Sequence, residues 1–170
     1  PHHKDCNVIA GKMWLIGRAY AAQIERGAGE PGKSNVIYAR VAAKLAASNL
    51  DEQLEGISEV SSVTMENLDR VLAVHKHLVD LIREDSKLNR TAFSAKYLHF
   101  HKPYAFFIFD SLANEKLRQK VPRRRFNIPQ SCVAFDEAYA GFVLRCIEYR
   151  TRREKPMTPR QLDQELLGYH

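Results

Sequence analysis

The sequence predicts an all-α fold in a single compact domain, on three observations. Apolar residues recur at steps of three and four over most of the chain, capping residues and Gly/Pro clusters punctuate those runs, and only one short stretch is continuously apolar. Together they predict about seven helices and at most one short strand. With 170 residues, the chain can bury one core without disulfide or metal staples, so residues 1–170 are read as one domain.

The elements follow in order. Ile9, Met13, Ile16, Tyr20 and Ile24 share one helical face and predict a first helix over 7–26. A Gly/Pro cluster at 27–32 ends it. Ser34 then caps a second helix carrying Ile37, Val41 and Leu45, whose alanines at 42, 43, 46 and 47 permit close packing. Residues 48–62 read as a connector. Thr64, with Glu66 in the first turn, starts a long helix with Leu68, Val71, Leu72, His75, Leu78 and Ile82 on one stripe, closed by "REDSKLNR". A helix over 94–100 is broken by Pro103, "YAFFIF" at 104–109 is extended, and Asp110 opens the next helix, which runs to about Lys120. Beyond the basic loop "VPRRRFNIPQ", Ser131 caps a helix with Phe135, Tyr139, Phe142, Cys146 and Tyr149 on one side. Thr158, Pro159 and Gln161 form a capping box with Pro at the first helical position, introducing a short helix with Leu162, Leu166 and Leu167.

Charge and cysteine usage narrow the function. Twenty-six basic residues against twenty acidic ones give a formal charge of +6. Between Lys116 and Arg160 there are twelve basic and four acidic residues, so that third carries +8 and points to DNA or another polyanion as partner. Cys6, Cys132 and Cys146 contain no CxxC pair, which argues against a disulfide framework or a thiolate metal site and fits a cytoplasmic setting. No apolar run is long enough to span a bilayer, and no membrane partner is expected. The members of the pairs His75/His77 and His99/His101 sit about 200° apart on a helix, so neither pair can clamp one metal ion unless its segment is extended. No metal or cofactor is expected. His2 and His3 have the look of a tag remnant and carry no expected role.

Two stretches carry chemical information. "GAGEPGKS" at 27–34 spells a phosphate-binding loop, but such a loop grows out of a buried strand, and "YAAQIER" before it reads as the end of an amphipathic helix. "FFIFD", ending at Asp110, mimics the magnesium-binding strand of those enzymes. A helix–helix connection is the favoured reading, with nucleotide binding through 27–34 kept as an alternative.

The second stretch is "TAFSAKYLHFHKPYAFFIFDSLANEKL", residues 91–117. A small-residue helix, an apolar extended segment and an Asp opening the next helix resemble the centre of the helix-hairpin-helix DNA glycosylase superfamily. "SAKYLHFHKP", "FFIFDS" and the closing "TPRQLDQELL" are also similar to a group of small, uncharacterised bacterial helical proteins. The superfamily resemblance matches Ser94 and Ala95 to the family's small pair and Asp110 to its excision-site aspartate. It implies a monofunctional reaction: the base is turned out into a pocket, and the Asp110 carboxylate stabilises positive charge on the sugar or orients water. The sequence departs from the family twice. "REDSKLNRTAF" lacks the glycine hairpin that anchors a phosphate, and the place of the attacking lysine in bifunctional members is taken by Phe93, with Lys96 three residues further on. Arg123, Arg124 and Arg125, with Phe126 available for stacking, are the expected backbone-binding residues, joined by Lys96 and Lys102. Asp110 as a plain helix cap, and the chain as a noncatalytic protein-interaction module, are the open alternatives.

Overall fold

A computed structural model describes residues 3–28, 34–122, 134–153 and 156–168. Among them are eight helices and no strand: α1 (Cys6–Ala19), α2 (Ser34–Ala47), α3 (Leu50–Glu55), α4 (Leu68–Ser86), α5 (Thr91–His101), α6 (Ser111–Lys120), α7 (Glu137–Thr151) and α8 (Pro159–Leu167). The fold is all-α, as its periodicity predicts. α5 packs against α1, α4 and α7, while α6 lies on α7 and α8. That central position explains why seven consecutive residues of α5, Phe93 to His99, are buried although the helix has no apolar stripe.

α4 buries the whole predicted stripe, from Leu68 through His75 to Ile82. It starts at Leu68 and not at Thr64, because Asn67 spends its side chain backwards: its Oδ1 accepts from Thr64 N–H at 3.0 Å and its Nδ2 donates to the Ser62 carbonyl at 2.9 Å. The supposed connector at 48–62 contains α3, which seats Leu50 and Leu54 in the core with Ile57 just behind them. α8 has the predicted capping box and Pro at its first turn. α7 is capped by Asp136, whose carboxylate accepts from Tyr139 N–H at 3.2 Å and from the Thr91 hydroxyl at 2.5 Å, tying the starts of α5 and α7 together. Ser131, the expected cap, lies outside the described residues.

The first helix ends seven residues early. Ala21 takes a left-handed conformation at φ 49°, and Ala22 N–H reaches back to the Gly17 carbonyl at 2.9 Å, the six-to-one bond of a Schellman turn. Gly17 makes this possible, since a Cβ there would meet Tyr38 Oη at 3.1 Å and Gln23 Cα at 3.3 Å. Ile24 is still fully buried, but from a turn and not from the helix that its spacing suggested. A left-handed alanine costs about 1–2 kcal/mol, and glycine's extra unfolded-state freedom takes back about half of the gain from replacing it. Ala21→Gly should therefore raise stability by up to about 1 kcal/mol, read as a higher urea midpoint at unchanged m-value.

The segment expected to be extended, 104–109, turns at 103–105 and then continues outside any helix or strand to Asp110, with Phe106 and Phe107 buried. Its carbonyls find side-chain donors in place of a neighbouring strand. His99 Nδ1–H donates to the Phe106 carbonyl at 2.9 Å and Tyr139 Oη–H to that of Phe107 at 3.1 Å. A lone chain can thus cross the core with these buried acceptors satisfied.

His3 corrects another expectation. It is buried at 3% exposure, donates its backbone N–H to Asp51 Oδ2 at 3.1 Å, and bridges Asp51 Oδ1 (2.6 Å) to Tyr97 Oη (2.8 Å) through its two ring nitrogens. It is a structural residue joining α3 to α5. Of the four histidines in H-x-H pairs, His75 stacks on Tyr139 with ring centroids 3.7 Å apart and His99 holds the crossing segment. Among the described residues no cluster of His, Cys, Asp or Glu could hold a metal ion, and no helix is long and apolar enough to cross a membrane.

Candidate functional site

Asp110 has two jobs at once. Its backbone is extended at φ −144°, and its Oδ1 accepts from Leu112 N–H at 2.9 Å, so it caps α6. Its Oδ2 accepts from Lys96 Nζ at 3.4 Å. The side chain remains 35% exposed. It opens into a cleft of about 470 Å³ lined by the end of α1 (Ala19, Tyr20), by Lys96 of α5, by Ile108 and Asp110, and by the outer face of α8. The carboxylate therefore meets one positive helix end and one ammonium, both of which favour an anion.

Lys96 is only 5% exposed, which is unusual for a lysine. Its ammonium is held by the Tyr20 carbonyl at 3.2 Å as well as by Asp110, and lies 6.0 Å from the centre of the Tyr20 ring. The carbonyl is one of those left without an intrahelical partner by the early end of α1. The turn at Ala21 and the site are thus one construction. Tyr20 in turn leans on Phe100, at 5.4 Å between centroids, and Phe100 exposes half of its surface beside the cleft.

α8 contributes residues absent from the sequence-based prediction. Arg160, Asp163, Gln164 and Leu167 line the cleft. Their steps of three, one and three put them on a single helical face, the signal that was there to be read beside the core-facing Leu162 and Leu166. Asp163 is 8% exposed at its side chain, and its Oδ2 lies 3.5 Å from Arg160 Nη1. Burial pushes its carboxyl above the usual carboxylate range, and the neighbouring Asp110 adds to that push, while Arg160 and Lys96 oppose it.

The other predicted site residues do not gather here. Lys102 stands at the C-terminal end of α5, outside the cleft lining, and its charge acts on Glu59. Arg123, Arg124, Arg125 and Phe126 lie outside the described residues, as do residues 29–33 of the Gly/Pro-rich loop. Before that loop stand α1 and a turn, with Gly27 at φ 75°, so the strand that a phosphate-binding loop needs is not there among the described residues. Part of the charge of the +8 third is paired within the fold. Arg152 pairs with Glu148, Arg153 with Glu165 and Arg160 with Asp163, while Arg150 lies against the Phe107 ring. Two of those acids, Asp163 and Glu165, stand just beyond residue 160.

No family model, curated protein or solved structure matches the chain.

Proposed function

We propose that this cleft is a base-excision site, in which an unstacked nucleobase with its sugar is held and Asp110 promotes hydrolysis of the N-glycosidic bond. The observation that carries the reading is the meeting of Asp110 and Lys96 at 3.4 Å in an open cleft of about 470 Å³, fourteen residues apart in a segment that resembles the glycosylase centre. That volume falls in the range of small-molecule sites, roughly 300–1,000 Å³. The cleft wall suits a base: Tyr20 offers an aromatic surface, Ile108 and Leu167 offer aliphatic ones, and Lys96, Asp110, Arg160, Asp163 and Gln164 offer polar ones. Phe100, half exposed beside Tyr20, is placed to fill the gap left in a stack by the extruded base.

In this reaction positive charge grows on the sugar ring as the base departs. Asp110 faces that charge with a carboxylate fixed at both oxygens, so little reorganisation accompanies bond cleavage. Lys96 positions it. Incubation of duplexes carrying single modified or mismatched bases, followed by alkaline cleavage at abasic sites, tests the reading, with Asp110→Asn as the control. Release of no base from any duplex, or equal release by both proteins, would overturn it.

Binding gives a separate check. Duplex affinity should fall steeply with salt, and the triple variant Arg123/Arg124/Arg125→Ala should bind less tightly with a shallower salt slope, reduced by about one per lost phosphate contact. Fluorescence anisotropy across a salt series reads both. An unchanged slope would remove the arginine segment from the interface.

A further inference from the structure

The cleft holds a second carboxyl group whose position the mechanism above does not use. Asp163 lines the same cavity as Asp110, is more than nine-tenths buried, and leaves its Oδ1 buried without a hydrogen-bond partner. An ionised carboxylate with an unsatisfied buried oxygen is costlier to hold than a neutral carboxylic acid in the same place. Arg160 stands 3.5 Å from the other oxygen, at salt-bridge distance, and leaves Oδ1 uncompensated.

We infer that Asp163 is the second catalytic residue of the cleft, the acid that gives a proton to the departing base while Asp110 faces the sugar; the inference rests on the base-excision reading. Two carboxyl groups in one site divide acid and anion roles when their surroundings differ. Here they do. Asp110 is 35% exposed, caps a helix and touches an ammonium, while Asp163 is buried on α8. The charged and titratable groups facing Asp163 are Arg160 on its own helix, Asp110 at the start of α6, Lys96 on α5 and Cys146 on α7. Burial, the largest influence, favours the protonated form, and so does Asp110.

The step balances. The bond from C1′ to the base nitrogen breaks with its electron pair going to the base, and the Asp163 proton passes to the base. Water adds its oxygen to C1′ and returns a proton through solvent to the Asp163 carboxylate. The products are the free base and a sugar hydroxyl, with the acid restored.

A cationic base needs no proton donor, since it leaves as a neutral molecule. The test therefore compares single-turnover release of hypoxanthine and of 7-methylguanine from otherwise identical duplexes by the whole chain. Asp163→Asn should slow hypoxanthine release about 100-fold or more, the scale of general acid catalysis, and leave 7-methylguanine release within about threefold. Asp163→Glu should restore part of the loss. Wild-type release of hypoxanthine should decline on the alkaline side as Asp163 gives up its proton, with no such limb for 7-methylguanine. Equal losses on both bases, no loss on either, or a wild type that releases only 7-methylguanine would overturn the acid role while the Asp110 reading stands. Failure of the wild type on both bases would overturn this inference, and failure on every modified or mismatched duplex, or equal rates in Asp110→Asn, would remove the reading itself and this inference with it.

Discussion

Asp110→Asn should lower single-turnover base release by about 10²–10³-fold and leave the fold intact. The rate loss is the scale seen when one charge-stabilising group is removed from a preorganised site, about 3–4 kcal/mol. The fold survives because Asn caps helices about as well as Asp: its carbonyl can still accept from Leu112 N–H, while its amide NH2 replaces the oxygen that accepted from Lys96. Asp110→Ala would in contrast add a stability loss of about 1 kcal/mol for the missing cap. The pair of variants separates the two roles the residue plays: activity should fall in both, and the melting midpoint chiefly in the alanine. A thermal melt beside each rate measurement is sufficient. Full activity in Asp110→Asn would leave the residue as a cap and nothing else.

The second large effect concerns acid. His75 lies buried face to face with Tyr139, with Nε2–H directed at the Thr91 carbonyl at 3.3 Å and Nδ1 without a partner. Burial pushes its pKa down from 6.5 to about 4, against a smaller opposing pull from Asp136. The unfolded chain therefore takes up a proton that the folded one refuses. The stability contributed by keeping His75 neutral is fully present above pH 6.5 and is lost as pH falls through the folded value near 4. At 1.36 kcal/mol per pKa unit the loss is on the order of 3 kcal/mol. Denaturant unfolding at pH 7 and pH 4.5, in the wild type and in His75→Phe, isolates it. Phe keeps the stack on Tyr139 and cannot take a proton, so the variant should lose distinctly less stability than the wild type over that interval. Parallel losses would mean that other groups carry the acid sensitivity.

Helical periodicity was enough to place the α4 stripe, the box at Thr158 and the cap at Asp110, because each is a local pattern whose partners lie within one turn of chain. The failures were of another kind. The apolar step from Tyr20 to Ile24 continues a helical rhythm that the backbone abandons at Ala21, since the core accepts Ile24 from a turn as readily as from a helix. α3 is too short for its two buried leucines to stand out from a connector. The place of His3 in the chain suggests no role, and its partners Asp51 and Tyr97, 48 and 94 residues away, form no local pattern that could suggest one. The site shows the same division. Asp110 and Lys96 were in view as separate candidates, but their contact depends on where the crossing segment leaves the core. Arg160 and Asp163 sit on a helix whose apolar residues account for it on their own, so nothing local assigns a role to its polar face.

The amine in the cleft is anchored to main chain at Tyr20, and that has a genetic corollary. No codon change at position 20 can delete the acceptor, because every amino acid supplies a carbonyl. The anchor is open to mutation only through whatever bends the peptide there, above all Gly17 and Ala21, neither of which lines an interacting surface of the amine. Variants selected for altered chemistry should accordingly turn up at those two inconspicuous positions, remote in role from any reacting atom, as well as among the polar residues of the wall.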